Sequence, residues 1–164
     1  MRTISSESLY RIDALQNAYI GALDAKDMDG WLATFSGDEA ASYICTTAES
    51  VKADFPVAMM LDDCRGRIED RVTFITKMWA GTYQDYQTRH LLQRIACTEV
   101  GENQFEVRSN FTISYVQSHT GTAELFLTGV YLDRIQLSEN GDVFLSKKVI
   151  TDSPVFPHYI VYPL

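Results

Sequence analysis

Phe105-Glu106-Val107-Arg108-Ser109-Asn110-Phe111-Thr112-Ile113-Ser114-Tyr115 alternates without a break. The odd positions are apolar apart from Ser109, and the even positions are polar or charged. Side chains of an extended chain point to opposite faces in turn, so this stretch reads as a strand with one buried and one wet face. Turn signals punctuate the chain around it: Gly101-Glu102-Asn103, His119-Thr120-Gly121 and Asn140-Gly141-Asp142. Gly and Asn supply the backbone conformations that tight hairpins need. The pattern predicts four strands, roughly 89–100, 104–117, 122–137 and 142–151, joined as an antiparallel meander. Strands usually run about five or six residues. These are far longer, and strands of such length twist and coil.

The first half of the chain has a different period. Leu9, Ile12, Leu15, Tyr19 and Leu23 recur every three or four residues, the stripe of an amphipathic helix that a serine near Ser5-Ser6-Glu7 caps. Asp24-Ala25-Lys26-Asp27 breaks it, and a short second helix follows with Met28, Trp31, Leu32 and Phe35 as its apolar face, stopping at Ser36-Gly37. Residues 41–47 and, after Pro56, 57–61 read as short strands. A third helix is expected over 63–79, with Ile68, Val72, Ile75 and Trp79 in phase, ended by Gly81-Thr82. Helices first and a bent meander after them make an α+β chain. With the helices inside the curve, the layout resembles the nuclear-transport-factor-2-like cone. Residues 1–164 carry no linker, repeat or low-complexity stretch, so one domain is expected.

Apolar residues make up 46% of the chain and aromatics 12%, enough to fill a core. Net charge is −8, from 22 acidic and 14 basic side chains. Such a surface repels phosphate backbones, which argues against nucleic acid as a partner. No apolar run has the length needed to cross a membrane. Met1-Arg2-Thr3-Ile4-Ser5-Ser6-Glu7 leads into helix with no signal-peptide core. Cys45, Cys64 and Cys97 are odd in number, far apart and in no Cys-x-x-Cys, which suggests reduced thiols in a cytoplasm.

Several fragments, in order, are similar to the β (small) subunits of bacterial aromatic-ring-hydroxylating dioxygenases. Leu15 to Phe35 resembles the first two helices of that family. Asp62-Asp63-Cys64-Arg65-Gly66-Arg67-Ile68-Glu69-Asp70-Arg71-Val72 resembles its acidic pair and following helix, with Cys64 where many relatives place Arg. Thr88-Arg89-His90 matches the family's Thr-Arg-His, and Gly129-Val130-Tyr131-Leu132-Asp133-Arg134 its Gly-x-Tyr-x-Asp strand. The ending that closes on Tyr162-Pro163-Leu164 looks most like small subunits serving salicylate, anthranilate or terephthalate. The resemblance implies a non-catalytic subunit without cofactor of its own. Its partner would be a large α subunit holding a Rieske iron–sulfur cluster and a mononuclear iron. An α3β3 hexamer around a β trimer would receive electrons from a reductase or ferredoxin.

The residue inventory stands beside that resemblance. A Rieske centre needs paired Cys and His and a mononuclear iron two His and a carboxylate. His90, His119 and His158 are the only histidines and are scattered, so no metal site is expected. His90 is the candidate general base in a second reading, a stand-alone cone-fold dehydratase or isomerase, or a small-ligand binding protein, with Asp62 and Tyr43 in reach. In the first reading His90 is a structural histidine that joins strand to helix. Asp62, Asp63, Arg67, Asp70, Arg71, Arg89 and His90 are expected to form a partly buried structural or interface network. Trp31, Phe35, Phe74 and Trp79 read as core or interface packing. The tail from Pro154 carries seven large apolar side chains in eleven residues. Burying them would contribute about 10–20 kcal/mol gross, against a similar ordering cost of about 1–2 kcal/mol per residue. That balance predicts a tail packed on an adjacent subunit.

Overall fold

The computed structural model describes residues 4–164; the leader reading at Met1-Arg2-Thr3 lies outside them. Helix α1 spans Ser6–Ala25. The Ser5 hydroxyl caps it by accepting from the Ser8 amide at 3.0 Å. Lys26 then turns left-handed (φ 58°), and the Asp27 amide reaches back to the Ala22 carbonyl at 2.9 Å. The Asp27 carboxylate at once caps α2, Met28–Ala33, by accepting from the Gly30 amide. The Asp-rich break is thus two helix ends sharing one turn.

Six strands follow: β1 Ser42–Thr47, β2 Met60–Asp62, β3 Tyr86–Gly101, β4 Gln104–Gln117, β5 Ala123–Gln136 and β6 Val143–Thr151. They form one sheet in the order β2-β1-β6-β5-β4-β3. Strands β3 to β6 are the expected meander, and β1 joins it parallel to β6. The register shifts at Arg94/Ala96, Ile113/Ser114 and Arg134/Ile135. Such bulges sharpen the local twist and bend the long strands. One of them sits opposite Phe126 and lets both Phe126 and Leu127 turn inward, against simple alternation. The concave face closes on the buried stripe of α1 (Ile12, Leu15, Gln16, Tyr19, Leu23) and on α2, which makes the cone.

Gly129 is a packing requirement. A Cβ there would lie 2.2 Å from the Ile150 carbonyl oxygen and 2.7 Å from the Phe111 ring. Phe111 lies across the space and stacks on Tyr131, with ring centroids 4.4 Å apart.

Two expectations need correction, and one short helix was not expected. Helix 63–79 is α4, Arg65–Thr73, followed by a π-helical turn, Phe74–Met78. The Trp79 amide donates to the Phe74 carbonyl five residues back. The wider turn shifts the phase, so Trp79 stays 41% exposed against Phe74 instead of joining Ile68, Val72 and Ile75 in the core. The strand expected over 57–61 is only β2, because residues 53–59 form a loop. A helix α3, Ala48–Lys52, sits before that loop, capped by the Thr47 hydroxyl, and at five residues it is too short to show a period.

The tail also departs from its expectation. Val155 is 75% exposed, but Val161, Pro163 and Leu164 are buried in this chain's own cone. They gain main-chain partners there: the Leu164 amide donates to the Tyr43 hydroxyl, and the Tyr19 hydroxyl donates to the Leu164 carbonyl.

Candidate functional site

The expected network of seven residues divides into separate pieces. Asp62 is buried on β2, where Arg71 of α4 meets it with a two-pronged guanidinium contact, one prong at 2.8 Å. The neighbouring Asp63 points outward and pairs with Arg67 at 3.3 Å, both 55% exposed. Asp70 and Arg89 are exposed. Arg89 and His90 are adjacent on a strand, so they face opposite sides of the sheet. Strands β2 and β3 are the two edges of the sheet, and His90 pairs with neither Asp62 nor Tyr43. Tyr43 is in register with Asp62 on β1, but its hydroxyl serves the tail.

The partner of His90 is Asp24, at the last turn of α1. Its Oδ1 lies 2.6 Å from His90 Nδ1 and accepts from the Thr88 hydroxyl at 3.0 Å, while Oδ2 accepts from the His90 amide at 3.0 Å. The carboxylate therefore ties strand β3 to the end of α1. Burial works against its charge, but these contacts to His90 and Thr88 hold the Asp24 carboxyl below its usual range. The His90 ring is 2% exposed, and its Nε2 is buried without a partner among the described residues. The Asp-rich break signalled this aspartate, but as a helix end.

A second polar centre lies deeper, in the middle of the concave face. Lys147 Nζ donates to Asp133 Oδ1 at 2.7 Å, and both side chains are 0% exposed. Gln16 donates from its amide to Asp133 Oδ2 at 3.0 Å and to the Ser109 hydroxyl at 2.9 Å. The faces of Tyr19, Tyr131 and Phe144 surround the ammonium, with centroids 4.2 to 4.3 Å away. Such ring faces attract a cation, more so when it is desolvated. Burial lowers the Lys147 pKa, and Asp133 opposes that shift. None of these four stood out as a site in the sequence. The signal was phase: Lys147 is in step with Val149 and Thr151, Asp133 with Tyr131 and Ile135, and Gln16 with Ile12 and Tyr19.

Around these groups the interior is aromatic. Tyr19, Trp31, Phe35, Tyr43 and Phe144 meet edge-on or tilted at 5.0 to 6.3 Å. Burial holds the hydroxyls of Tyr19, Tyr43 and Tyr131 far above the usual tyrosine range, so they are neutral groups. Burial also pushes the Cys45 thiol up to about 12, which removes it as a nucleophile. Among the described residues, no group of three or more His, Cys, Asp or Glu is placed to hold a metal ion. No helix among them is long and apolar enough to cross a membrane.

Residues 18–158 match the model of the ring hydroxylating beta subunit family. The small subunit of anthranilate 1,2-dioxygenase from Burkholderia cepacia is 24% identical over 151 residues, covering 92% of this chain and 91% of that one. Subunit beta 2 of the terminal oxygenase component of terephthalate 1,2-dioxygenase from a Comamonas species is 24% identical over 155 residues, 94% and 97% of the two chains. The fold matches the β subunit of benzoate 1,2-dioxygenase from Burkholderia mallei with a TM-score of 0.73 at 22% identity, over 93% of each chain. With a cone of this shape and a family model that spans most of its length, the chain belongs to the ring-hydroxylating β-subunit family.

Proposed function

We propose that this chain works as one folded unit, the structural and non-catalytic small subunit of a cytoplasmic, multicomponent aromatic-ring-hydroxylating oxygenase. The observation that carries the reading is the filled interior. Where a cone-fold enzyme needs room for substrate, aromatic rings, the Lys147–Asp133 pair and Leu164 occupy the space. A cavity packed to this degree supports holding other subunits in place rather than turning over a ligand.

In this reading the partner is a large α subunit that carries the Rieske cluster and mononuclear iron. Three of each chain assemble as α3β3 around a β trimer, and a reductase or ferredoxin supplies electrons to the complex. The names of the anthranilate and terephthalate relatives support a carboxylated aromatic as the compound oxidised. Within the chain, the Asp62–Arg71 pair fixes α4 to the sheet edge. Asp63, Arg67 and Asp70 beside it, with the exposed Phe74 and Trp79, offer polar and apolar contacts for a protein partner. His90 has a structural role, locking β3 to α1 through Asp24.

The test is reconstitution. Aromatic turnover is measured with the large subunit, its electron-transfer partners and this chain, together and with each left out. Turnover is expected only when the large subunit is present, and a complex of both chains should form. Conversion of a ketone or polyol by this chain alone would replace this reading with the dehydratase one.

A further inference from the structure

The outer face of the sheet carries its charges unevenly. One residue from each strand forms a row across all six: Ala96 on β3, Arg108 on β4, Leu132 on β5, Lys148 on β6, Ile44 on β1 and Leu61 on β2. The last five each stand next in sequence to a buried residue (Val107, Tyr131, Lys147, Tyr43 and Met60), so they point away from the core. Arg108, Leu132, Lys148 and Leu61 are exposed. Neighbouring strands lie about 4.8 Å apart, which puts Arg108 and Lys148 about 10 Å from each other with Leu132 between them.

These two cations are kept clear of acid. Seven other Lys or Arg side chains each hold a carboxylate of this chain. Among the described residues Arg108 and Lys148 hold none, although the chain has 22 acidic side chains and a net charge of −8. On one side the adjacent row, Gln93, Asn110, Val130, Ile150 and Thr46, is uncharged. On the other side the one carboxylate is Glu106, and Arg134 stands opposite it. Past Lys148 the surface turns apolar, with Phe55 and Val57 exposed beside Leu61. Leu61 also borders the groove of Arg67, Asp70, Phe74 and Trp79, so the two surfaces are continuous.

We infer that this row is a docking surface for the large subunit, which meets it with carboxylates about 10 Å apart on either side of an apolar group. The inference rests on the reading of the chain as a small subunit and extends its contact from the groove across the sheet. Two copies of the row laid on each other would set four cations together, and like charges placed face to face repel. The occupant that fits is an acidic surface of a different chain.

The test measures association of the full-length chain with immobilised large subunit at about 50 mM and about 500 mM salt. Arg108→Glu with Lys148→Glu should weaken binding at least about ten-fold at low salt, chiefly through slower association. The salt dependence of wild type should shrink in this variant, while its melting temperature stays unchanged. Arg89→Glu is the control, an exposed cation on the same face about 20 Å along β3 from the row. It should bind like wild type. If the glutamate variant does not fold, Arg108→Gln with Lys148→Gln replaces it, with a loss of about three-fold expected from removing the charges alone. A folded variant that binds like wild type overturns the inference and leaves the small-subunit reading standing. So does an Arg89→Glu chain that is weakened as much, because overall charge would then explain the loss. Loss of self-association with unchanged binding to the large subunit would give the row to a second copy and also overturns it. Wild type that forms no complex with the large subunit removes the small-subunit reading, and the inference with it.

Discussion

Asp133 and Asp24 each face a basic side chain, the first fully buried and the second partly buried at the end of α1, and they are secured in opposite ways. Asp133 has Lys147 on one oxygen and Gln16 on the other, and among the described residues Lys147 has only Asp133 and three ring faces. Asp24 accepts from the His90 amide, the Thr88 hydroxyl and the His90 ring, and two of those contacts do not depend on the imidazole. The first pair is a charge committed to the core with no reserve. The second is a carboxylate with spare partners at the end of a helix. Removing one member should therefore cost far more at the first site than at the second.

The largest effect is expected from Asp133→Ala. It strands the Lys147 ammonium in a fully buried position, and breaking a buried pair in this way costs about 3–5 kcal/mol. Urea unfolding of the isolated chain measures it. Replacing both partners, with Asp133→Leu and Lys147→Met, should restore most of that loss, because an apolar pair of similar volume avoids the desolvation cost. A double variant as unstable as the single one would mean the charges themselves hold the fold.

The next effect concerns the wall of the Lys147 cage. Gly129→Ala drives a methyl group into the Ile150 carbonyl and the Phe111 ring, which displaces the ring stacked on Tyr131. Overpacking of this kind costs about 1–3 kcal/mol. If Gly129→Ala melts like wild type, β5 has room to shift and Tyr131 is not held by Phe111.

The contrast between the two sites also explains what the sequence made legible. The meander was readable because alternation and turn residues agree over four long strands. The cone followed from strand length. The buried charges were not readable, since Lys147 stands beside Lys148 and nothing local says which one turns inward. Only counting back from Val149 in steps of two assigns Lys147 to the core. The same count separates His90 from Arg89 and Asp62 from Asp63, pairs the single-network expectation had merged. Asp24 was hidden for another reason. It lies 66 residues from His90, and a helix-terminal aspartate has an ordinary local explanation.

A smaller effect is expected at the second site. His90→Ala removes one of three contacts to Asp24 and should destabilise by about 1–2 kcal/mol, within the range for one lost hydrogen bond. Turnover per assembled complex should be unchanged. A large fall in turnover with normal assembly would assign His90 to the chemistry. The pH dependence follows from the Asp24 carboxyl, whose folded pKa is lowered. A group more acidic in the folded state contributes stability that is complete above its unfolded value, about 3.9, and is lost as pH falls through the lower folded value. Wild type and Asp24→Asn should therefore differ at neutral pH and converge below about pH 4. A constant gap across that range would mean the asparagine variant lost packing rather than charge.

The smallest effect on folding is expected outside the cone, at Arg67 and Asp63. Both are 55% exposed, whereas the nearby Arg71 and Asp62 are 16% and 6% exposed. A pair open to water gains little, because solvent screens it and two long side chains lose freedom to form it. Arg67→Ala should change stability by less than about 0.5 kcal/mol. Arg71→Ala should cost several times more, because it leaves the Asp62 carboxylate buried without its guanidinium. The two variants separate folding from assembly, since Arg67 also lines the groove formed with Asp70, Phe74 and Trp79. If that groove meets the large subunit, Arg67→Ala will weaken co-purification with it while the chain melts like wild type. Arg71→Ala will weaken co-purification only in proportion to its loss of stability. An Arg67→Ala chain that both melts and co-purifies like wild type would leave the Asp63–Arg67 pair as ordinary solvated surface and place the subunit contact elsewhere.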